Sequence, residues 1–68
     1  SNQVQMGSLV QTTTGWYYLI TSLGKIFLNG EVCFVLSGAS PLGSLMMGKG
    51  LGDEINREGF KTKILSVL

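Results

Sequence analysis

The chain has 68 residues with five Lys/Arg against four Asp/Glu, a net charge of +1, 13% charged and 44% apolar residues. A domain of this size buries only roughly 60% of its unfolded surface, enough for one small core. The hydrophobicity excludes a disordered tail, and the near-neutral charge gives no electrostatic reason to hold a polyanion.

There is no histidine and a single cysteine, Cys33. That excludes a Ser-His-Asp or Cys-His nucleophile, an HExxH zinc site, an internal disulfide and a thiolate zinc cluster. Cys33 lies in the apolar run Val32-Cys33-Phe34-Val35-Leu36, the setting of a buried core thiol in a reducing compartment. A cytoplasmic location is therefore expected. The longest apolar runs, Trp16 to Ile20 and Val32 to Leu36, are far shorter than the roughly 20 residues of a membrane span. The opening Ser1-Asn2-Gln3 reads as the scar of a cleaved expression tag. Residues 1–5 are expected to be a tag remnant or linker, and residues 6–68 the domain.

In chain order, residues 6–13 read as a first strand, with Thr14-Gly15 as its turn. Trp16-Tyr17-Tyr18-Leu19-Ile20-Thr21 is the strongest strand signal, made only of aromatic, β-branched and Leu residues. Trp16, Tyr18 and Ile20 face one way, Tyr17, Leu19 and Thr21 the other, and both faces are expected to be at least partly covered. Leu23-Gly24-Lys25 turns the chain into Ile26-Phe27-Leu28. Asn29-Gly30 is the favoured type I′ pair, because both central residues need positive φ. Residues 25–37 thus read as a hairpin. Ser40 is a helix N-cap with Pro41 at the first helical position. Leu42, Leu45 and Met46 recur at helical spacing and Gly48 supplies a left-handed stop, predicting a helix over 41–47. A glycine-rich turn leads to strands at 54–56 and 60–68, joined through Arg57-Glu58-Gly59. The expected fold is α+β, a curved antiparallel sheet of five or six strands around one short helix. Its expected core is Leu9, Tyr18, Ile20, Phe34, Leu36, Leu42, Leu45, Met46 and Ile64.

Three chemical motifs fail on inspection. Gly43 to Lys49 fits G-x-x-x-x-G-K, but Gly50 follows where Mg²⁺ coordination needs Ser or Thr. Gly38-Ala39-Ser40 lacks the second glycine of a nucleophile elbow, position 42 being Leu42. Asp53 and Glu54 are adjacent, so on a strand they point to opposite faces. No catalytic residue, cofactor or metal is expected, nor any hydrolase, nucleotidase or metal-dependent activity. Lys61 and Lys63 on one face of the last strand read as an edge-protecting device and not as a nucleic-acid patch.

One stretch is specific. Ser37-Gly38-Ala39-Ser40-Pro41-Leu42-Gly43-Ser44-Leu45-Met46-Met47-Gly48-Lys49-Gly50-Leu51-Gly52-Asp53-Glu54, with Lys63-Ile64-Leu65-Ser66-Val67 closing the chain, resembles the C-terminal domain of the GreA/GreB transcript-cleavage factors. Gly7-Ser8-Leu9-Val10 is similar to the family's opening strand. In texture the chain is most like the Gre-like proteins of Bacteroidetes. The resemblance implies an FKBP-like fold and a protein-binding module of a transcription elongation factor that docks on RNA polymerase, without direct nucleic-acid or membrane binding. The residues it marks are Ser40, Pro41, Leu42, Gly43, Met47, Gly48, Lys49, Gly52 and Asp53. The family's catalytic acids sit on an N-terminal coiled coil, and no heptad segment occurs in these residues. The family's loop before the Ser-Pro strand is acidic and helps dock on polymerase, whereas residues 21–30 here contain no acid, so no docking residue carries over onto them. The alternatives are a structural or oligomerising domain and an FKBP-like prolyl isomerase. Met47, Lys49 and the turn after them are expected to form an exposed docking edge.

Overall fold

The computed structural model describes residues 2–20 and 24–68, without the side chains of residues 24–26 and 28. Six strands and one helix follow in the order β1 (Leu9–Thr12), β2 (Gly15–Leu19), β3 (Gly24–Leu28), β4 (Glu31–Leu36), α1 (Pro41–Met46), β5 (Glu54–Arg57) and β6 (Phe60–Val67). They form a small α+β domain whose sheet runs β3-β4-β2-β1-β6-β5, so β6, whose Lys61 and Lys63 were expected to protect an edge, is an inner strand between β1 and β5.

The sheet is mixed, which corrects the expectation of a purely antiparallel one. β2 and β4 pair in parallel, Trp16 opposite Cys33 and Leu19 opposite Leu36, while the other neighbours are antiparallel. Parallel neighbours need a long connection, and here β3 is part of it. After β2 the chain passes to the sheet edge, forms β3, and returns as β4 between β3 and β2. β4 takes the inner position because Val32 to Leu36 has apolar side chains for both faces.

Two-residue turns close both expected hairpins, with Arg57, expected in the link, instead the last residue of β5 opposite Phe60. Asn29 (φ 52°) and Gly30 (φ 82°) join β3 to β4, and Glu58 (φ 50°) and Gly59 (φ 87°) join β5 to β6. The β1–β2 turn is Thr13-Thr14, with Thr12 opposite Gly15, so Gly15 belongs to the strand and not to the turn. Gly24 and Lys25, expected in a turn, are in β3. Thr21 and Leu23, also assigned from sequence, lie outside the described residues. The helix ends at Met46, and Met47 is its C-cap.

Residues paired across strands share a face, so the register sorts the core. On the helix side lie Val10, Tyr17, Leu19, Ile64 and Val67, which pack with Met46, Val4 and Ile55. Leu36, Leu42, Leu45 and Met47 are partly buried against them. The opposite face holds the rows Leu9–Tyr18–Val35 and Gln11–Trp16–Cys33, in which Val35 and Cys33 are buried. Both faces are therefore at least partly covered, as expected. Of the expected core, Met46 and Ile64 are fully buried, and Leu36, Leu42 and Leu45 are half-buried. Leu9, Tyr18 and Ile20 are only half-buried, and Phe34 is 38% exposed. The inner positions of β1 and β2 are Val10, Tyr17 and Leu19 instead. Aromatic or aliphatic side chains at every position from Trp16 to Ile20 leave the periodicity silent, and pairing with β4 decides the face.

Val4 is 2% exposed and belongs to the core. Residues 2–5, expected to lie outside the domain, form a strap. Gln3 bridges Gly50, the Val4 N–H donates to the Lys49 carbonyl at 2.7 Å, and the Gly48 N–H donates to the Val4 carbonyl at 2.8 Å.

Burial leaves Cys33 with no exposed surface and pushes its thiol up. A thiol raised in the folded state favours folding below its unfolded pKa of roughly 8.5, and that contribution is lost as pH rises above it. Thiol labelling of the native domain is expected to be slow and to track unfolding, and stability is expected to fall above about pH 8.5. In Cys33→Val that alkaline loss disappears. Rapid labelling of the native state would contradict the burial.

Candidate functional site

The motif from Ser37 to Glu54 folds as a chain of local necessities. The Ser40 hydroxyl donates to the Ser37 carbonyl at 2.7 Å and accepts from the Gly43 N–H at 3.1 Å, capping α1, while Pro41 enters as its first residue. A Cβ at Gly43 would lie on the Ser37 carbonyl oxygen and 2.8 Å from the Ser40 hydroxyl, so only glycine lets the helix start this close to the strand it leaves. Gly48 (φ 81°) and Gly52 (φ 87°) hold conformations that other residues resist. The Asp53 carboxylate accepts from the Gly50 N–H at 2.8 Å, and the Asp53 carbonyl accepts from the Ile64 N–H at 2.9 Å, tying the turn to β6.

That arrangement leaves little for an anion. The Gly48 N–H donates to the Val4 carbonyl, Lys49 to Met46, Gly50 to the Asp53 carboxylate and Gly52 to Ile64. The strap pairs with the backbone of Gly48, Lys49 and Gly50, while Leu51, Gly52 and Asp53 after them are exposed. Met47 packs half-buried on the core, and its sulfur would lie 3.5 Å from a Cβ on Gly38. Lys49 has an exposed side chain. The motif residues thus come together in one helix-and-turn unit, and most of them have a structural task there.

A second constellation was not legible in the sequence. Phe34 stacks on Tyr17, with ring centroids 5.5 Å apart at 24°. Phe27 is opposite Val32 and diagonal to Phe34 on the same face of β3–β4. An aromatic row therefore crosses β3, β4 and β2, from buried Tyr17 through Phe34 at 38% exposure to Phe27 at 75%. The Tyr17 phenol is within hydrogen-bonding distance of the Thr14 hydroxyl (3.1 Å), which meets buried Thr62 at 2.7 Å, and the Thr13 N–H donates to the Lys63 carbonyl at 3.0 Å. This hydroxyl network fixes the inner end of the row. The signal that could have found it is the Asn29-Gly30 turn, which sets Phe27 opposite Val32; what the sequence could not give was the edge position of β3.

An open cavity of about 300 Å³ lies between α1 and the β5–β6 turn, lined by Leu42, Arg57, Glu58 and Phe60. Arg57 and Glu58 are 3.9 Å apart and largely exposed, a geometry that holds neither firmly. Among the described residues, no group of three or more His, Cys, Asp or Glu side chains could hold a metal ion. No helix among them is long and apolar enough to cross a membrane.

No family model, curated protein or solved structure matches this chain.

Proposed function

We propose that this domain is a protein-binding module of a Gre-like elongation factor that docks on RNA polymerase, with an FKBP-like fold, and that the β3–β4 hairpin is its docking element. The supporting observation is the aromatic row, with Phe27 at 75% exposure beside the Asn29-Gly30 turn. In the family that the Ser40-Pro41-Leu42-Gly43 motif resembles, docking falls to the acidic loop preceding the Ser-Pro strand. The corresponding stretch here has no acid and displays an aromatic ring instead. Large aromatics supply most of the energy of such contacts, so this docking is apolar and resists salt.

Capture of RNA polymerase by the full-length protein is expected to fall at least about tenfold in Phe27→Ser, by analogy with aromatic anchors elsewhere, with the melting temperature unchanged. Lys49→Glu is the companion variant, because Lys49 belongs to the family motif and its side chain is free to reach a partner. A loss in Lys49→Glu alone would move the docking site to the turn after α1. Equal capture by wild type and both variants would overturn the reading.

A further inference from the structure

The sheet ends in two edges, β3 and β5, and they differ in chemistry. β5 has four residues, with Glu54 and Arg57 at its ends and Glu54 paired to Lys61 at 3.7 Å. Short, charged edges of this kind resist pairing. β3, Gly24-Lys25-Ile26-Phe27-Leu28, carries one charge and no proline, and Phe27 stands largely in solvent. Among the described residues its outer side has no partner strand.

We infer that β3 pairs with β3 of a second copy of this chain, antiparallel about a two-fold axis through Ile26. A two-residue hairpin loop makes the flanking pair, Leu28 and Glu31, a hydrogen-bonded one, and such pairs alternate along the ladder. Gly24, Ile26 and Leu28 thus bond to β4, while the N–H and C=O groups of Lys25 and Phe27 point outward. With Ile26 opposite itself, Lys25 stands opposite Phe27 of the partner subunit, and every outward group of either residue finds its complement. About this axis the one charge of β3, at position 25, falls opposite position 27 and not opposite itself, so two copies pair without setting like charges face to face, in the closed two-fold arrangement commonest for homo-oligomers. A net charge of +1 sets little repulsion against it. A five-residue edge is far smaller than the roughly 1,200–2,000 Å² of a stable interface, so the dimer is weak and concentration-dependent. The inference stands whether or not the hairpin docks on polymerase; if it does, the dimer covers Phe27 and excludes docking.

Sedimentation equilibrium of the chain alone, from micromolar to millimolar, tests it without polymerase. The wild-type mass is expected to rise toward that of a dimer. Lys25→Pro removes one outward donor while sparing the bonds to β4 and is expected to stay monomeric. Phe27→Lys sets like charges opposite each other at both symmetric positions, whereas Phe27→Glu sets a carboxylate opposite Lys25. The second is expected to dimerise about tenfold more tightly than the first, from two cross-strand charge pairs. A wild type monomeric at millimolar concentration would overturn the proposal. So would association of folded Lys25→Pro at wild-type strength, or equal association of Phe27→Lys and Phe27→Glu. Should Lys25→Pro not fold, the two Phe27 variants decide.

Discussion

Gly43→Ala is expected to destabilise the domain by about 3 kcal/mol, although alanine is the better helix former by about 1 kcal/mol. The steric term decides the sign. The added methyl would lie on the Ser37 carbonyl oxygen, which cannot retreat because it already accepts from the Ser40 N–H at 3.1 Å and the Ser40 hydroxyl at 2.7 Å. It would also press on that hydroxyl, which accepts from the Gly43 N–H and caps the helix. Overpacking costs about 1–3 kcal/mol and a lost N-cap about 1 more. A domain of this length has a total stability of only about 3–10 kcal/mol, and each kcal/mol moves the melting temperature by about 4–8 °C. A fall of roughly 15 °C is therefore expected by thermal melting. An unchanged or raised melting temperature would mean that α1 does not begin against Ser37.

Val4→Asp is expected to cost about 2–4 kcal/mol, from lost burial of an aliphatic side chain and the desolvation of a carboxylate. Val4 is 2% exposed, and the strap's backbone bonds to Gly48 and Lys49 flank it on both sides. The strap also fits where only glycine leaves room, because a Cβ on Gly50 would lie 2.6 Å from the Asn2 carbonyl oxygen. A buried carboxyl would have its pKa raised, so its penalty shrinks as pH falls and the group is neutralised. The gap between Val4→Asp and wild type should therefore narrow at low pH without closing, because the lost aliphatic burial remains, and removal of residues 1–5 should cost nearly as much as the substitution at neutral pH. Urea titration of all three forms checks both statements. A truncated chain as stable as the whole would show that the strap adds nothing to the core.

What the sequence disclosed follows from how local each signal is. Asn29-Gly30 and Glu58-Gly59 fix their hairpins through positive φ, and the Ser40-Pro41 start and Gly48 stop fix α1, because every one of these constraints acts within a few residues. The parallel pairing of β2 with β4 is not local: nothing in Trp16 to Leu19 indicates that β4 inserts beside it rather than β3. The side of β2 that faces α1 depends on that pairing, which is why Tyr17 and Leu19, and not Tyr18 and Ile20, reach the inner core. Val4 was hidden for the same reason, since one valine among Asn2, Gln3 and Gln5 has no periodicity and gains its place only from Gly48 to Gly50. Of the candidate site, the motif residues were legible and turn out to shape the helix and its turn. The aromatic row was not, because it joins strands distant in sequence.

The claim that the β3–β4 hairpin is the docking element is tested most directly by amide hydrogen exchange of the full-length protein with and without RNA polymerase. Added protection is predicted across β3 and β4, Gly24 to Leu36, greatest around Phe27, with the turn from Gly48 to Gly52 exchanging as in the free protein. Protection confined to that turn, or none anywhere in the domain at saturating polymerase, would contradict it.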